Sequence, residues 1–162
     1  KSQVALHVDH FKLEEWKLDI KMKKKKIVKD SYIVRTKKRI LRDTIETEKK
    51  YTTNFKDIRN YFKIFNKSLF NNKLNPFNDV MIKRIVRGSG QCVEYISYRK
   101  GTNKFVLEMM PKYKNKMEFL NTLSHEMVHL WQQTIKKDTG NHNKLFFSFR
   151  NKFKRLNLKL SY

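Results

Sequence analysis

Cysteine is nearly missing from this chain: Cys92 stands alone. No disulfide can form within it, and a cysteine-built structural zinc site is excluded as well. Any metal must therefore be held by His, Asp or Glu. Proline and glycine are scarce too, at 2 and 4 residues, so regular elements are expected over most of the chain. No uncharged run is long enough to cross a bilayer, which predicts no membrane partner. The start, Lys1 to His10, lacks the basic, then apolar, then small-residue order of a secretory signal. The expectation is an intracellular protein, in the cytoplasm, nucleus or nucleoid, or in a virion and its host cytoplasm, rather than a secreted one. The missing initiator Met suggests a processed or trimmed chain.

Acid is in short supply as well. Against 38 Lys and Arg there are 15 Asp and Glu, a formal net charge of +23. Such an excess favours anionic partners, nucleic acid above all. A low-GC coding bias toward Lys, Asn, Ile, Phe and Tyr is the plainer explanation of part of it.

What is present suits one domain, since 162 residues can bury roughly two thirds of the surface that the unfolded chain exposes. Residues 1–53 read as a basic extension. Alternation at Val4, Leu6 and Val8, and again at Leu18, Ile20 and Met22, predicts short strands before the Lys23 to Lys26 run. Arg39 to Lys50 reads as a connector or an extra helix. From residue 54 the pattern sharpens into the main domain, 54–162. Phe55, Ile58, Phe62, Phe65 and Leu69 recur at helical steps, and Asn71, Asn72, Asn75 and Pro76 end that helix. Val80 to Val86, Gln91 to Arg99 and Lys104 to Met109 read as three strands of a small meandering sheet. Pro111 closes it. Met117 to Lys136 carries helical spacing, and a last helix follows with Leu145, Phe146, Phe149, Phe153 and Leu156.

The long helix contains His125-Glu126-Met127-Val128-His129. Residues four apart stack one turn on, so both imidazoles can reach one cation while the Glu points toward the water to be activated. At about 100° per residue, Leu120, Leu123, Met127, Leu130, Trp131 and Thr134 form one apolar stripe. His125 and His129 lie roughly opposite, beside Thr122, Gln132 and Gln133, so they are not expected in the core; paired surface imidazoles are the plain alternative. A catalytic zinc needs three protein ligands and an open position. No Glu follows Glu126, and the downstream choices are Asp138 and His142. His142 is the better ligand, because imidazole suits zinc and a loop containing Gly140 can turn the chain back. Asp138 is then a loop residue or a hydrogen-bond partner of an imidazole.

These residues resemble the SprT-like zinc metallopeptidases, a family that includes the Spartan-type proteases acting on proteins crosslinked to DNA. The resemblance runs from Phe55 to about Leu158. It is carried by Tyr61 to Asn66, Leu69 to Leu74, the strand Phe105 to Met109, Leu123 to His129, and His142-Asn143-Lys144-Leu145-Phe146. It implies an α+β, zincin-like fold with a small meandering sheet packed on the active helix and helices flanking it. It also implies Zn2+ on His125, His129 and His142, Glu126 as base, and activity often stimulated by DNA. The family usually has Gly beside the third His, whereas Asn141 and Asn143 flank His142 here, residues that tolerate a left-handed turn; the Cys-rich ribbon of some members cannot exist in this chain.

A basic cluster suits phosphate contacts with base stacking on single strands. Its candidates are Arg84, Arg87, Arg99, Lys100, Lys104 and Tyr98, with Lys83, Lys112, Lys114, Lys116, Tyr95 and Tyr113 around them. A lysine-protected sheet edge is the plainer reading. Two functions of different class follow. One is a zinc endopeptidase acting on protein near nucleic acid. The other is a basic nucleic-acid-binding or virion-associated structural protein whose zinc site merely holds helix and loop together.

Overall fold

The structure, a computed structural model, describes residues 10–97 and 101–161. It is α+β. A long helix α1 (His10–Asp43) leads to a short strand β1 (Tyr51–Thr52) and helix α2 (Phe55–Phe70). Strands β2 (Asp79–Ile82), β3 (Gly90–Ser97), β4 (Thr102–Met109) and β5 (Lys112–Tyr113) precede helix α3 (Lys116–Trp131). A π turn, Gln132–Lys136, continues α3 before α4 (Lys144–Phe147) and α5 (Arg150–Arg155).

Leu18, Ile20 and Met22 are helical, not strands. The alternation there is incidental: Leu18 and Met22 stay exposed, so no sheet face is being buried, and the surrounding Lys, Leu and Glu are good helix formers. The expected strand at Val4 to Val8 lies outside the described residues. Farther along α1, Ile33, Thr36 and Ile40 are buried, and Ile33 and Ile40 join the same core as α2 and α3. Arg39 belongs to this helix, and residues 44–50 form the connector.

Helix α2 starts on Asn54, whose Oδ1 accepts from Asp57 N at 2.8 Å, and stops where Asn71 turns left-handed at φ 55°. Ile58, Phe62, Phe65 and Leu69 are buried as the spacing predicts, but Phe55 is 52% exposed. It sits at the first turn, before the helix reaches the core.

The sheet is not a meander. Its order is β2-β4-β3, with β3 and β4 antiparallel but β2 parallel to β4. The β3–β4 pair is the expected hairpin; β2, however, adds to the far side of β4, so β3 is an edge. The inner end of β4, Val106 to Met109, is buried against the helices. Glu108 lies within that run, paired with Lys83 Nζ at 2.7 Å and hydrogen-bonded by the Gln91 amide. Burial opposes its ionisation, but these two partners outweigh it and hold the carboxyl below its ordinary range.

Helix α3 begins with two side-chain caps. Asn115 Oδ1 accepts from Glu118 N at 3.0 Å, and Glu118 Oε2 accepts from Lys114 N at 2.8 Å. Phe119, Leu120, Leu123, Met127, Val128 and Leu130 are buried along it. The expected single last helix is broken in two at Ser148 and Phe149, although Phe146, Phe149, Phe153 and Leu156 all reach the core. Beyond α5, Leu158 and Leu160 are buried too, and Lys159 N donates to Asn121 Oδ1 on α3 at 2.9 Å. Among the described residues, no helix is long and apolar enough to cross a membrane.

Candidate metal centre

His125 and His129 stand one turn apart on α3, and the loop after the π turn brings His142 back to them. Their three Nε2 atoms lie 2.9, 3.1 and 3.2 Å from one another. Three nitrogens bound tetrahedrally at 2.0–2.1 Å from one ion would be separated by about 3.3 Å. The three side chains thus lie close enough to hold one metal ion.

The hydrogen bonds of the other ring nitrogens strengthen that fit. His129 Nδ1 lies 3.1 Å from Gln132 Oε1, an acceptor, so Nδ1 carries the proton. The ring of His125 is hydrogen-bonded to the backbone of Ser161. Both Nε2 atoms are then left with lone pairs directed at each other from 3.1 Å. Lone pairs at that range repel unless a cation lies between them. Burial, followed by the two neighbouring imidazoles, pushes the pKa of His125 down to about 3. Burial also lowers that of His129, against the opposing pull of Gln132. Both are neutral near pH 7, the state a metal ligand needs.

Phe146 is the floor of this site. Fully buried, its ring centroid lies 4.8 Å from that of His125 and 4.7 Å from those of His129 and His142. Helix α4 puts it there, capped by Asn143, whose Oδ1 accepts from Phe146 N at 3.1 Å.

Glu126 is buried beside the imidazoles, hydrogen-bonded by the backbone of Cys92 on β3. Burial raises its pKa to about 8, partly offset by that hydrogen bond. It faces a cavity of about 350 Å3 shared with Gly88, Gly90, Thr122, His125 and His142. Gly90 lets the edge strand lie directly on α3: a Cβ there would meet Thr122 Cγ2 at 2.6 Å. A larger, more apolar cavity of about 690 Å3 lies between α2 and residues 72–80. Its lining holds no histidine or cysteine, so chemistry rather than size marks the smaller one.

The helical face bearing the histidines is not a solvent face. His129 is buried and Gln132 fully so, because the 137–143 loop and Phe146 cover the side opposite the apolar stripe. Asp138 is not a fourth ligand. Its Oδ2 accepts from Gln132 Nε2 at 3.0 Å and Asn143 Nδ2 at 2.9 Å, so it reaches His129 only through Gln132. The hydrogen bond from Asn143, then one from the backbone of Thr139, holds its carboxyl below the ordinary range. Gln132 had no signal in the sequence beyond lying on the histidine side of α3. The turn near His142 is made by Lys137 and Gly140, at φ 55° and 78°, and not by its Asn neighbours.

Of the candidate nucleic-acid residues, Arg84, Arg87 and Lys104 are exposed, whereas Tyr98, Arg99 and Lys100 lie outside the described residues. Lys83 is engaged by Glu108. Tyr113 is buried, its hydroxyl donating to Ser89 O at 2.6 Å, and cannot stack on a base; Tyr95 opposite Lys104 is exposed. Compared with known protein families, with curated proteins and with solved structures, the chain matches none.

Proposed function

We propose that this chain is a zinc-dependent endopeptidase of the SprT-like kind, with a zincin-like fold, cleaving protein substrates gathered close to DNA. The observation that carries the reading is the convergence of three imidazole Nε2 atoms beside a buried carboxylate that opens on a cavity. A zinc ion held by His125, His129 and His142 would supply Lewis acidity toward a peptide carbonyl and toward water. Glu126 takes a proton from the water whose oxygen attacks the carbonyl carbon, and delivers it to the amine nitrogen as the C–N bond breaks. The Cys92 backbone hydrogen bond aims its carboxyl. A raised pKa suits a group that must accept a proton and then give it up near neutral pH, and a bound cation would draw it down from 8.

A site that only held helix and loop together would need neither the carboxylate nor the cavity. The basic surface supports DNA as the partner, with Arg84, Arg87 and Lys104 free to meet phosphates. The test is to incubate wild type and Glu126→Gln with Zn2+ and DNA and follow cleavage of casein and of the protein itself. Loss of cleavage in the variant by about 100-fold or more, with metal content unchanged, is expected. Equal cleavage by both forms would end the enzyme reading.

A further inference from the structure

We propose that Gln132 is the positioning residue of the metal site: one buried amide that orients His129 and ties the loop bearing His142 to α3. The proposal rests on the three histidines being metal ligands and names what presets their geometry.

Gln132 is the first residue of the π turn and is fully buried. Its backbone carbonyl accepts from the N–H groups of Lys137 and of Asp138, the latter at 3.0 Å, and so holds the start of the loop. Its side-chain Nε2 donates to Asn141 O at 2.8 Å and Asp138 Oδ2 at 3.0 Å, with Asn143 Oδ1 at 3.3 Å. These contacts hold the loop on both sides of His142. Three oxygens around Nε2 leave the amide only one orientation, with Oε1 turned to His129 Nδ1 at 3.1 Å. That orientation, with a further hydrogen bond from the ring to the backbone of Gly140, makes Nδ1 the protonated nitrogen of His129 and leaves Nε2 its lone pair for the cation. A polarised path thus runs from the Asp138 carboxylate through the Gln132 amide to the imidazole. It does the work that a carboxylate bonded directly to a ligand histidine does in other metal sites. The π turn closes on the same residue: the Lys137 N–H bonds back five positions to the Gln132 carbonyl.

The test compares wild type with Gln132→Met, which keeps length but loses both amide functions, and with Gln132→Asn, which keeps the amide but cannot span ring and loop. His142→Ala serves as the loss of a ligand, Asp138→Ala as the loss of one loop tie, and Lys154→Ala, at an exposed site, as the control. Zn2+ affinity is read by competition with a chromophoric chelator, the Co2+ form by its visible spectrum, and the fold by thermal unfolding without metal. Gln132→Met and Gln132→Asn are expected to weaken Zn2+ binding by ~10–100-fold and to shift the Co2+ bands, and Asp138→Ala by less. His142→Ala is expected to weaken it most, and Lys154→Ala not at all. A folded Gln132 variant with wild-type Zn2+ affinity and an unchanged Co2+ spectrum overturns the proposal. None of these readouts involves cleavage. A lost affinity here, together with undiminished proteolysis by Glu126→Gln, would keep the clamp and remove the peptidase.

Discussion

At the scale of single residues, the site depends on side chains whose types were plain in the sequence and on others that were not. The HExxH spacing and the Gly140-containing loop pointed to His125, His129 and His142, and their Nε2 atoms do converge. The same helical-wheel reasoning misjudged their surroundings, since a wheel assigns one face to the core and cannot foresee that a returning loop will bury the other. Phe146 was legible as core but not as the surface on which all three imidazoles rest. Phe146→Ala should therefore do more than open a cavity. A loss of about 3–5 kcal/mol is expected from removing a buried phenyl ring, read by urea denaturation of the metal-free protein. Metal affinity should fall with it, because the rings lose their common support. A variant of wild-type stability would show that the ring is not packed as described.

At the scale of elements, α2 and α3 could be drawn from periodicity because each has one long, deeply packed apolar stripe. Helix α1 could not: among its described residues Trp16, Leu18, Met22, Ile27 and Val28 are exposed, and burial begins only at Ile33, Thr36 and Ile40, so most of its apolar residues do not mark a buried face. Strand positions were legible from alternation, but their partners were not, because alternation says which face is buried and nothing about which neighbour accepts the hydrogen bonds. The parallel β2–β4 pairing is the result. The contact of β3 with α3 gives an element-level prediction. Gly90→Ala puts a methyl 2.6 Å from Thr122 Cγ2, an overpacking of about 1–3 kcal/mol. Thr122→Ser removes that Cγ2 and should recover most of the loss in the double variant. Additive effects in the thermal unfolding of the three variants would mean that strand and helix do not meet there.

At the scale of the whole molecule, the +23 charge is spread along the chain, and two exposed basic regions stand out within it. One is the exposed half of α1, with the Lys23 to Lys26 run; the other is Arg84 and Arg87 beside the Met109 end of β4, with Lys104 exposed farther along that strand. Binding to single-stranded DNA should weaken steeply with salt, by a slope of ~0.7 in log affinity against log salt for each phosphate neutralised. Arg84→Ala with Arg87→Ala should lower that slope by ~1.4 if both touch phosphate. An unchanged slope in fluorescence anisotropy titrations would move the interface to α1. The docking of residues 158–161 along α3, with the Ser161 backbone holding the His125 ring, has a temporal consequence. Chains emerge from the ribosome N-terminus first, so α3 exists well before the segment that aligns it does. A nascent chain paused short of residue 161 lacks the backbone group that holds the His125 ring, so that ring gains its last hydrogen bond only once synthesis has passed that point.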